Sequence, residues 1–464
     1  MIASEASPFV KTGGLADVLG SLPAALARRG DEVAVVLPRY RSAEVFGAER
    51  IWNIMPVFLG PHRFTVAIDQ VIHQGVRYLF LDCPPLYDRA GVYNEAGADY
   101  ADNHIRFGLL NRASLEIARN IFRPDVVHAH DWPAGLAALY IRSGFAGDPT
   151  FFGVKCVLTI HNLGYQGNFP ASALGDLGID PALYYHPDGV EFYGRMSFLK
   201  AGIIWSDVIN TVSPTYAREI QTPEFGFGFD GLLRSRGYKL TGILNGVDYD
   251  EWDPAHDAHL PAHYSPSDLA GKRECKLALL DELNLPRRVD RPVIGIVSRF
   301  VHQKGLDLVG EVAAPLAEEN VALAVLGSGE AAVENMFRYF GYVRPDKFGV
   351  RLGYDNGLAH RIEAGADMFL MPSRYEPSGL SQMYSLRYGT VPIVRATGGL
   401  EDSVDTETGF KFRGYAPSAL FRAIQEALGA YEDHQLWQLR MRRGMAKDFS
   451  WDVAAARYQE LYRS

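Results

Sequence analysis

Two cationic residues in the second half of the chain stand where they could hold a phosphorylated ligand. Arg299 and Lys304 follow a nearly continuous apolar run, residues 293–297, and precede a helix-like segment. Such a pair can bind a diphosphate and neutralise the negative charge that it gains as a leaving group. The alternative is that both are solvated surface cations, as most Arg and Lys residues are. Their place after a buried strand favours the functional interpretation, because ligands of doubly wound sheets bind outside the carboxyl ends of the strands.

A carboxylate and a glycine pair follow two later apolar runs. Glu376 lies on a Pro- and Gly-containing turn, where it could orient sugar or ribose hydroxyls, or simply stabilise the start of a helix. Thr397, Gly398 and Gly399 stand at a strand–helix junction, where backbone amides can bind an anion.

A similar junction opens the chain. Lys11 precedes Gly13 and Gly14, which let the backbone approach a ligand closely, and the helix that follows offers free N–H groups to an anion. The segment matches neither the Walker pattern nor the dinucleotide fingerprint. By itself it predicts either a phosphate or sugar contact or a plain tight turn.

Polar residues also cluster at two strand ends in the first half, residues 128–132 and 159–167. His128 and His130 suggest a metal site, but they alternate along one strand and lack a supporting Cys or carboxylate pattern, so a metal is not expected. Polar side chains over an apolar floor, with Trp132 nearby, fit carbohydrate recognition better.

The elements that position these residues alternate between strands and helices. Expected strands are residues 32–37, 77–81, 125–130, 155–161, 207–213, 292–298, 321–326, 367–372 and 391–395, and expected helices include 16–29, 104–120, 306–319 and 418–431. Apolar strands separated by helices indicate doubly wound α/β domains with parallel sheets. Pro23 is expected to kink or restart the first helix, with Ser21 as a new cap, and Ser418 is expected to cap the last.

Length and composition limit the possible functions. The 464 residues exceed one hydrophobic core, so two domains are expected, with the boundary in the turn-rich stretch from residue 244 to residue 254. The net charge of -9 and the lack of a basic block argue against nucleic-acid binding. No apolar run reaches the length of a membrane helix, and three scattered cysteines suit a reducing, cytoplasmic location.

Taken together, the junction motifs resemble those of the glycogen and starch synthases. The matching segments are Lys11-Thr12-Gly13-Gly14-Leu15-Ala16-Asp17, His130-Asp131-Trp132, His161-Asn162-Leu163, Leu244-Asn245-Gly246-Val247-Asp248, Ser298-Arg299, Gln303-Lys304-Gly305-Leu306-Asp307, Glu376-Pro377 and Thr397-Gly398-Gly399-Leu400. No single motif is decisive, but their order and spacing agree from end to end.

The resemblance implies the GT-B fold: two Rossmann-like doubly wound α/β domains that face each other across a cleft. It implies an N-terminal acceptor-side domain of residues 1–245, a nucleotide-sugar domain of residues 246–449, and a terminal helix, 450–464, that returns to the first domain. The implied reaction is transfer of glucose from ADP-glucose to the non-reducing end of an α-1,4-glucan, with retention of configuration and without a metal or other cofactor.

The resemblance also assigns roles to single positions. Catalytic roles fall on His161, Arg299, Lys304 and Glu376. Substrate-binding roles fall on Lys11, Gly14, Asp131, Asn162, Asn245, Tyr354, Ser378, Gly379, Leu380, Thr397, Gly398 and Gly399. Lys11 and the Gly14 amide are implied to contact donor phosphates, Tyr354 to pack beside adenine, and Asp131 to lie on the acceptor side.

Two positions depart from the family pattern, and two other functions remain open. Ser378 stands where the family usually has Cys, and Pro133 stands where a His commonly follows Trp132. One alternative is a related retaining transferase with another nucleotide-sugar donor or a small acceptor. The other is a non-catalytic glucan-binding protein on the same fold.

Overall fold

The computed structural model describes all 464 residues, which form two compact units. Unit 1 comprises residues 1–212, 217–246 and 451–464, and unit 2 comprises residues 213–216 and 247–450. No helix is long and apolar enough to cross a membrane.

Nineteen strands are assigned along the chain. They are β1 (Ala34–Pro38), β2 (Glu49–Leu59), β3 (His62–His73), β4 (Val76–Asp82), β5 (Asn94–Glu95), β6 (Ala98–Asp99), β7 (Val126–His130), β8 (Lys155–Ile160), β9 (Asn168–Pro170), β10 (Glu191–Phe192), β11 (Arg195–Ser197), β12 (Val208–Thr211), β13 (Leu240–Gly242), β14 (Val293–Phe300), β15 (Ala322–Gly329), β16 (Phe348–Leu352), β17 (Met368–Met371), β18 (Val391–Arg395) and β19 (Phe410–Phe412).

Eighteen α-helices accompany them. They are α1 (Gly14–Arg28), α2 (Pro84–Tyr87), α3 (Asn103–Asn120), α4 (Ala137–Arg142), α5 (Ala173–Asp176), α6 (Pro181–Tyr184), α7 (Phe198–Trp205), α8 (Pro214–Glu219), α9 (Asp230–Ser235), α10 (Ala270–Glu282), α11 (Leu306–Glu318), α12 (Ala331–Val343), α13 (Asn356–Gly365), α14 (Ser381–Arg387), α15 (Gly398–Ser403), α16 (Pro417–Tyr431), α17 (His434–Met445) and α18 (Trp451–Arg463).

Unit 2 contains a six-stranded sheet in the order β16-β15-β14-β17-β18-β19, and every neighbouring pair is parallel. Counted from β14, this is the order 3-2-1-4-5-6 of a Rossmann fold. Alternate residues of β15 enter different cores: Leu323 and Val325 pack on one face, Ala324 and Leu326 on the other. The predicted doubly wound topology is therefore confirmed for this unit.

Unit 1 also contains neighbouring parallel strands, and the first residues of the chain link its two rows of strands. Ile2 forms parallel bridges to Val36 and to Ala129, so residues 1–3 join the row β1-β4-β3-β2 to the row β7-β8-β12-β13. Strands β7, β8, β12 and β13 are parallel neighbours, whereas β2 and β3 form an antiparallel hairpin that the sequence did not predict.

The terminal helix α18 belongs to unit 1 and packs on α1 and on the sheet. The Tyr458 hydroxyl accepts a hydrogen bond from Asn210 Nδ2 at 3.0 Å, and Tyr462 contacts His128 Nδ1 at 2.9 Å. Arg28 of α1 forms an exposed ion pair with Asp452.

The expected restart of α1 with Ser21 as a new cap and the expected cap at Ser418 were wrong. Helix α1 runs without interruption through Pro23, because the carbonyl of Leu19, which loses its usual N–H partner there, accepts the Tyr78 hydroxyl at 3.1 Å. Helix α16 begins at Pro417 with Ala416 as its N-cap, so Ser418 lies inside the first turn and caps nothing.

Candidate active site

The functional residues predicted in unit 2 gather at the carboxyl edge of its sheet. A cavity of about 180 Å³ opens beyond β14 and β17, and Arg299, Lys304, Ser373 and Ser381 are among the residues that line it. Because the two strands are parallel neighbours, their carboxyl ends bring the loops 298–305 and 372–380 together.

Lys304 and Glu376 form an ion pair beside this cavity. Lys304 Nζ lies 2.7 Å from Glu376 Oε2, and the Ser373 hydroxyl donates to the same oxygen at 2.9 Å. The Glu376 side chain is buried, and both of these contacts are made to its Oε2. An ammonium carries three N–H donors, so Lys304 keeps hydrogen-bonding capacity for a ligand.

Arg299 differs from Lys304 in its surroundings. It is exposed near the end of β14 and makes no ion pair with any carboxylate. An unpaired guanidinium beside the Lys304–Glu376 ion pair leaves net positive charge at this edge, as anion binding requires.

Gly398 and Gly399 pack against the loop that carries Glu376. The Gly399 amide donates to the Glu376 carbonyl at 3.1 Å. A Cβ on Gly399 would meet the Ser378 carbonyl at 1.9 Å, and one on Gly398, whose φ is +45°, would meet the Glu376 carbonyl at 2.0 Å. Only glycine permits this approach, so the two predicted motifs form one structural unit.

Gln382 of α14, a residue that the sequence analysis did not select, fixes the rest of that loop. Its Nε2 donates to the carbonyls of Ser378 and Gly379 at 3.0 and 3.1 Å. The Ser378 hydroxyl is buried without a partner. Leu380 is the N-cap residue of α14, which places the whole predicted segment at one strand–helix junction.

The last two predicted positions in unit 2 are Thr397 and Tyr354. Thr397 is buried as the N-cap residue of α15, but its side chain makes no capping hydrogen bond. Tyr354 follows β16, two strands away from β14, and is 83% exposed, with its hydroxyl 3.2 Å from Asn356 Oδ1.

In unit 1 the loop before α1 is held by a carboxylate that the sequence analysis overlooked. Buried Glu5 accepts hydrogen bonds from the Thr12 amide at 2.6 Å, the Gly13 amide at 3.1 Å, the Thr12 hydroxyl at 2.9 Å and the Tyr93 hydroxyl at 2.8 Å. Helix α1 then starts at Gly14 without a side-chain cap, which leaves its first amides to a ligand. A lone Glu before a glycine-rich loop was the available signal.

Lys11 lies at the surface of the same loop. Its ammonium is 2.6 Å from Asp17 Oδ1, and its side chain is half exposed. The structure therefore brings Lys11 and Gly14 to one junction, as the sequence predicted, with an acidic neighbour that the prediction did not include.

Asp131, His161 and Asn162 meet beyond β7 and β8. Asp131 Oδ1 accepts a hydrogen bond from the His161 amide at 2.7 Å, and Asp131 holds a positive φ of +54°. Burial raises the pKa of Asp131 to about 7, although this hydrogen bond opposes the shift. Burial lowers the pKa of His161 to about 3, so its ring is neutral near pH 7.

The neighbouring histidines belong to the interior. His128 and His130 are fully buried with ring centroids 4.0 Å apart, and burial lowers both pKa values. His128 contacts Thr159 Oγ1 at 2.7 Å, and His130 Nδ1 contacts His161 Nε2 at 3.0 Å. His130 contacts His161 from the interior of the unit, and neither buried ring forms a sugar-binding surface. No cluster of three or more His, Cys, Asp or Glu residues is placed to hold a metal.

Asn245, the last predicted position, lies beyond β13 in unit 1. Its side chain is buried, and its Oδ1 has no hydrogen-bond partner. A buried amide oxygen of this kind can accept a hydrogen bond from a ligand hydroxyl.

Comparison with known proteins gives a consistent result over the whole chain. Residues 1–235 match the family described as "Starch synthase catalytic domain", and residues 283–442 match "Glycosyl transferases group 1". A glycogen synthase of Anaeromyxobacter dehalogenans strain 2CP-1 is 48% identical over 472 residues, which cover 100% of this chain and 98% of the relative. A glycogen synthase of Koribacter versatilis is 46% identical, with 99% and 96% covered.

A solved structure agrees with the sequence relatives. The catalytic domain of starch synthase IV from Arabidopsis thaliana, bound to ADP and acarbose, superposes with a TM-score of 0.91 at 33% identity, covering 100% of this chain and 98% of that one.

Proposed function

The chain belongs to the glycogen and starch synthase family of glucosyltransferases, and on that premise we propose that it transfers glucose from ADP-glucose to the non-reducing end of an α-1,4-glucan with retention of configuration. The single observation that carries the residue assignment is the Lys304–Glu376 ion pair at the carboxyl edge of the unit 2 sheet. This pair supports the proposal that Lys304 acts on the leaving group and Glu376 on the sugar.

Charge development explains the roles of the cations. When the bond from the anomeric carbon to the phosphate oxygen breaks, the diphosphate gains negative charge and the glucosyl carbon becomes cation-like. Lys304 and Arg299 stabilise the diphosphate, and Thr397 and the Gly398 and Gly399 backbone bind phosphate or glucose. Lys11 and the Gly14 amide supply further donors for the donor phosphates.

Glu376 orients the donor glucose. Its Oε2 is already occupied by Lys304 and Ser373, so Oε1 is the oxygen that accepts from a glucose hydroxyl. The loop Ser378, Gly379 and Leu380 completes that wall of the sugar site. Tyr354, exposed beyond β16, packs beside the adenine.

The donor-side site favours attack on the same face as the leaving group. A retaining glycosidase places two carboxylates about 5 Å apart, one of them a nucleophile. Among the residues that line the unit 2 cavity none is a carboxylate, and Glu376 is held beside it by Lys304. The acceptor hydroxyl oxygen therefore bonds to the anomeric carbon as the phosphate leaves, and a phosphate oxygen takes the hydroxyl proton.

The first unit supplies the remaining sugar contacts. His161, neutral because burial lowers its pKa to about 3, donates or accepts at a sugar hydroxyl together with Asn162. Asn245 offers its unpartnered Oδ1 to a sugar hydroxyl, and Asp131 acts on the acceptor side. All three cysteines are unpaired, which supports a cytoplasmic location.

The decisive test is incorporation of labelled glucose into glycogen, with ADP-glucose, UDP-glucose and GDP-glucose compared at equal concentration. We expect the highest kcat/KM with ADP-glucose. Preference for another donor would replace the donor assignment, and glycogen binding without transfer from any donor would make the chain a glucan-binding protein. Glu32→Gln changes an exposed carboxylate of unit 1. It serves as the control for effects of mutagenesis and purification that do not involve the site.

A further inference from the structure

Unit 1 exposes three aromatic rings close to the loop that carries His161. They are Tyr165, 58% exposed, Tyr193, 79% exposed, and Phe227, 41% exposed, and we name them the aromatic platform. Single exposed rings are common, whereas a larger exposed apolar patch marks a ligand or partner surface.

Tyr193 and Phe227 are held in backbone conformations that disfavour them. Tyr193 has a φ of +49° and Phe227 a φ of +47°. Tyr193 and Gly194, whose φ is +75°, form the two-residue turn that joins β10 to β11. A turn with positive φ at both positions prefers Asn-Gly, so a tyrosine at its first position is conformationally costly. Strain of this kind is characteristic of functional positions.

Tyr193 packs edge-on against Phe192, with ring centroids 4.7 Å apart. Phe192 in turn stacks on Phe229, with ring centroids 4.0 Å apart and planes inclined by 6°. A Cβ on Gly228 would lie 3.0 Å from the Tyr193 ring, so the chain after Phe227 runs directly against that ring. The position of the Tyr193 side chain is thus set by packing.

A hydrogen bond connects the platform to the candidate site. Gln166 Nε2 donates to the Phe227 carbonyl at 3.0 Å, and Gln166 Oε1 accepts from Asn168 at 2.9 Å. Gln166 and Tyr165 continue the loop from His161 and Asn162, whose amides bind Asp131. The platform is therefore linked to the residues proposed to act on the acceptor side, through the backbone at Tyr165 and through the hydrogen bond of Gln166 to Phe227.

We propose that the aromatic platform binds the glucan acceptor through the apolar faces of its glucose rings, at units beyond the one that receives the new residue. The inference rests on the proposed function for the identity of the ligand. Pyranose rings carry C–H groups on their faces and hydroxyls at their edges, so they pack on exposed aromatic rings while their hydroxyls remain hydrated. Neutral aromatic rings suit an uncharged glucan chain.

The conformational strain makes a clean test possible. Tyr193→Asn removes the ring and installs the residue that the turn prefers, so stability should be unchanged or raised. Phe227→Gly does the same at the second strained position. Tyr193→Phe keeps the ring, and Phe152→Ala removes an aromatic side chain that is 67% exposed elsewhere in unit 1.

Affinity for glycogen and for maltoheptaose is measured without donor, by electrophoresis in glycogen-containing gels and by calorimetry. We expect the dissociation constant to rise at least five-fold for each ring-deleting variant and further for the double variant, with Tyr193→Phe and Phe152→Ala within two-fold of wild type. The KM for ADP-glucose should change less than the KM for glycogen.

Two results would overturn the proposal. Glucan affinity within two-fold of wild type in the double variant would show that the rings do not bind the acceptor. A change of elution volume in size-exclusion chromatography, with glucan affinity intact, would assign the platform to contact with a second copy of the chain. Because binding is measured without donor, the glucan affinities can be interpreted even if the wild type shows no transfer activity.

Discussion

Replacement of Glu5 tests whether the glycine-rich loop before α1 must be held in place for catalysis. One buried carboxylate accepts hydrogen bonds from the Thr12 and Gly13 amides and from the Thr12 and Tyr93 hydroxyls. Glu5→Gln keeps the shape but loses the charge, whereas Glu5→Ala leaves both amides without their acceptor.

The expected magnitudes follow from these contacts. A buried amide left unsatisfied costs about 1–3 kcal/mol, so Glu5→Ala should lower the free energy of unfolding by about 3–5 kcal/mol. Glu5→Gln retains an acceptor oxygen and should cost about 1–2 kcal/mol. If the loop shifts and the Gly14 amide is lost to the phosphate, kcat should fall on the order of 100-fold for Glu5→Ala, the effect of removing one preorganised donor. Glu5→Gln should lie between Glu5→Ala and wild type.

The assay measures kcat and KM for ADP-glucose alongside urea unfolding, with Glu32→Gln as the exposed control. Two mechanisms predict opposite changes in the KM for ADP-glucose of the Glu5→Gln variant. If Glu5 positions the loop, the KM for ADP-glucose rises and kcat falls; if its charge merely repels phosphate, the KM falls. A kcat/KM for Glu5→Ala within three-fold of wild type, in fully folded protein, would refute the positioning role.

Three further substitutions test other parts of the site. Because burial raises the pKa of Asp131 to about 7, the folded chain retains a proton there that the unfolded chain releases above about pH 4, so this group lowers wild-type stability as pH rises through that window. Asp131→Asn should therefore gain stability relative to wild type between pH 4 and pH 8, by up to about 4 kcal/mol in urea unfolding, and a difference that is constant with pH would contradict this. Gly399→Ala should abolish transfer because its Cβ would meet the Ser378 carbonyl at 1.9 Å, whereas Gly429→Ala, with nothing within 4 Å, should keep full activity; comparable kcat values would disprove the packing argument. Ser378→Cys should retain activity within about two-fold and raise the melting temperature slightly, because it replaces a buried hydroxyl that has no partner with a less polar group; a large loss of kcat would show that the hydroxyl binds substrate.

Local sequence patterns predicted most strands of the parallel sheets, but not β13, β16 and β19, which lie at the ends of the strand rows. Residues 293–297 of β14 and all of β17 are apolar because both faces of the sheet are covered there, and polar residues follow them immediately. The same logic located Arg299, Lys304 and Glu376, because strand order and polarity alone bring their loops to one edge.

The unpredicted hairpin β2–β3 has a different physical character. β2 is an edge strand that contains Pro56 and alternates exposed and buried positions toward its end. Proline is tolerated at an edge because one side of the strand needs no hydrogen-bond partner, yet in a sequence it argues against a strand.

The contacts around Glu5 and Pro23 could not be predicted from local sequence, because they involve residues that are distant along the chain. Glu5 depends on Tyr93, 88 positions away, and the Leu19 carbonyl opposite Pro23 depends on Tyr78, 59 positions away. No periodicity within α1 or its preceding loop contains that information.

The most direct test of the account is the affinity of ADP, the leaving group, for variants of Lys304. Lys304 has two possible roles, since it pairs with Glu376 at 2.7 Å and is proposed to bind the diphosphate. Glu376→Gln removes the pairing role, so Lys304→Gln is compared with wild-type Lys304 in that background by calorimetry. The account predicts that ADP binds at least ten-fold more weakly when Lys304 is replaced, about 1.4 kcal/mol. An unchanged dissociation constant would show that Lys304 serves only Glu376 and would contradict the proposed stabilisation of the leaving diphosphate.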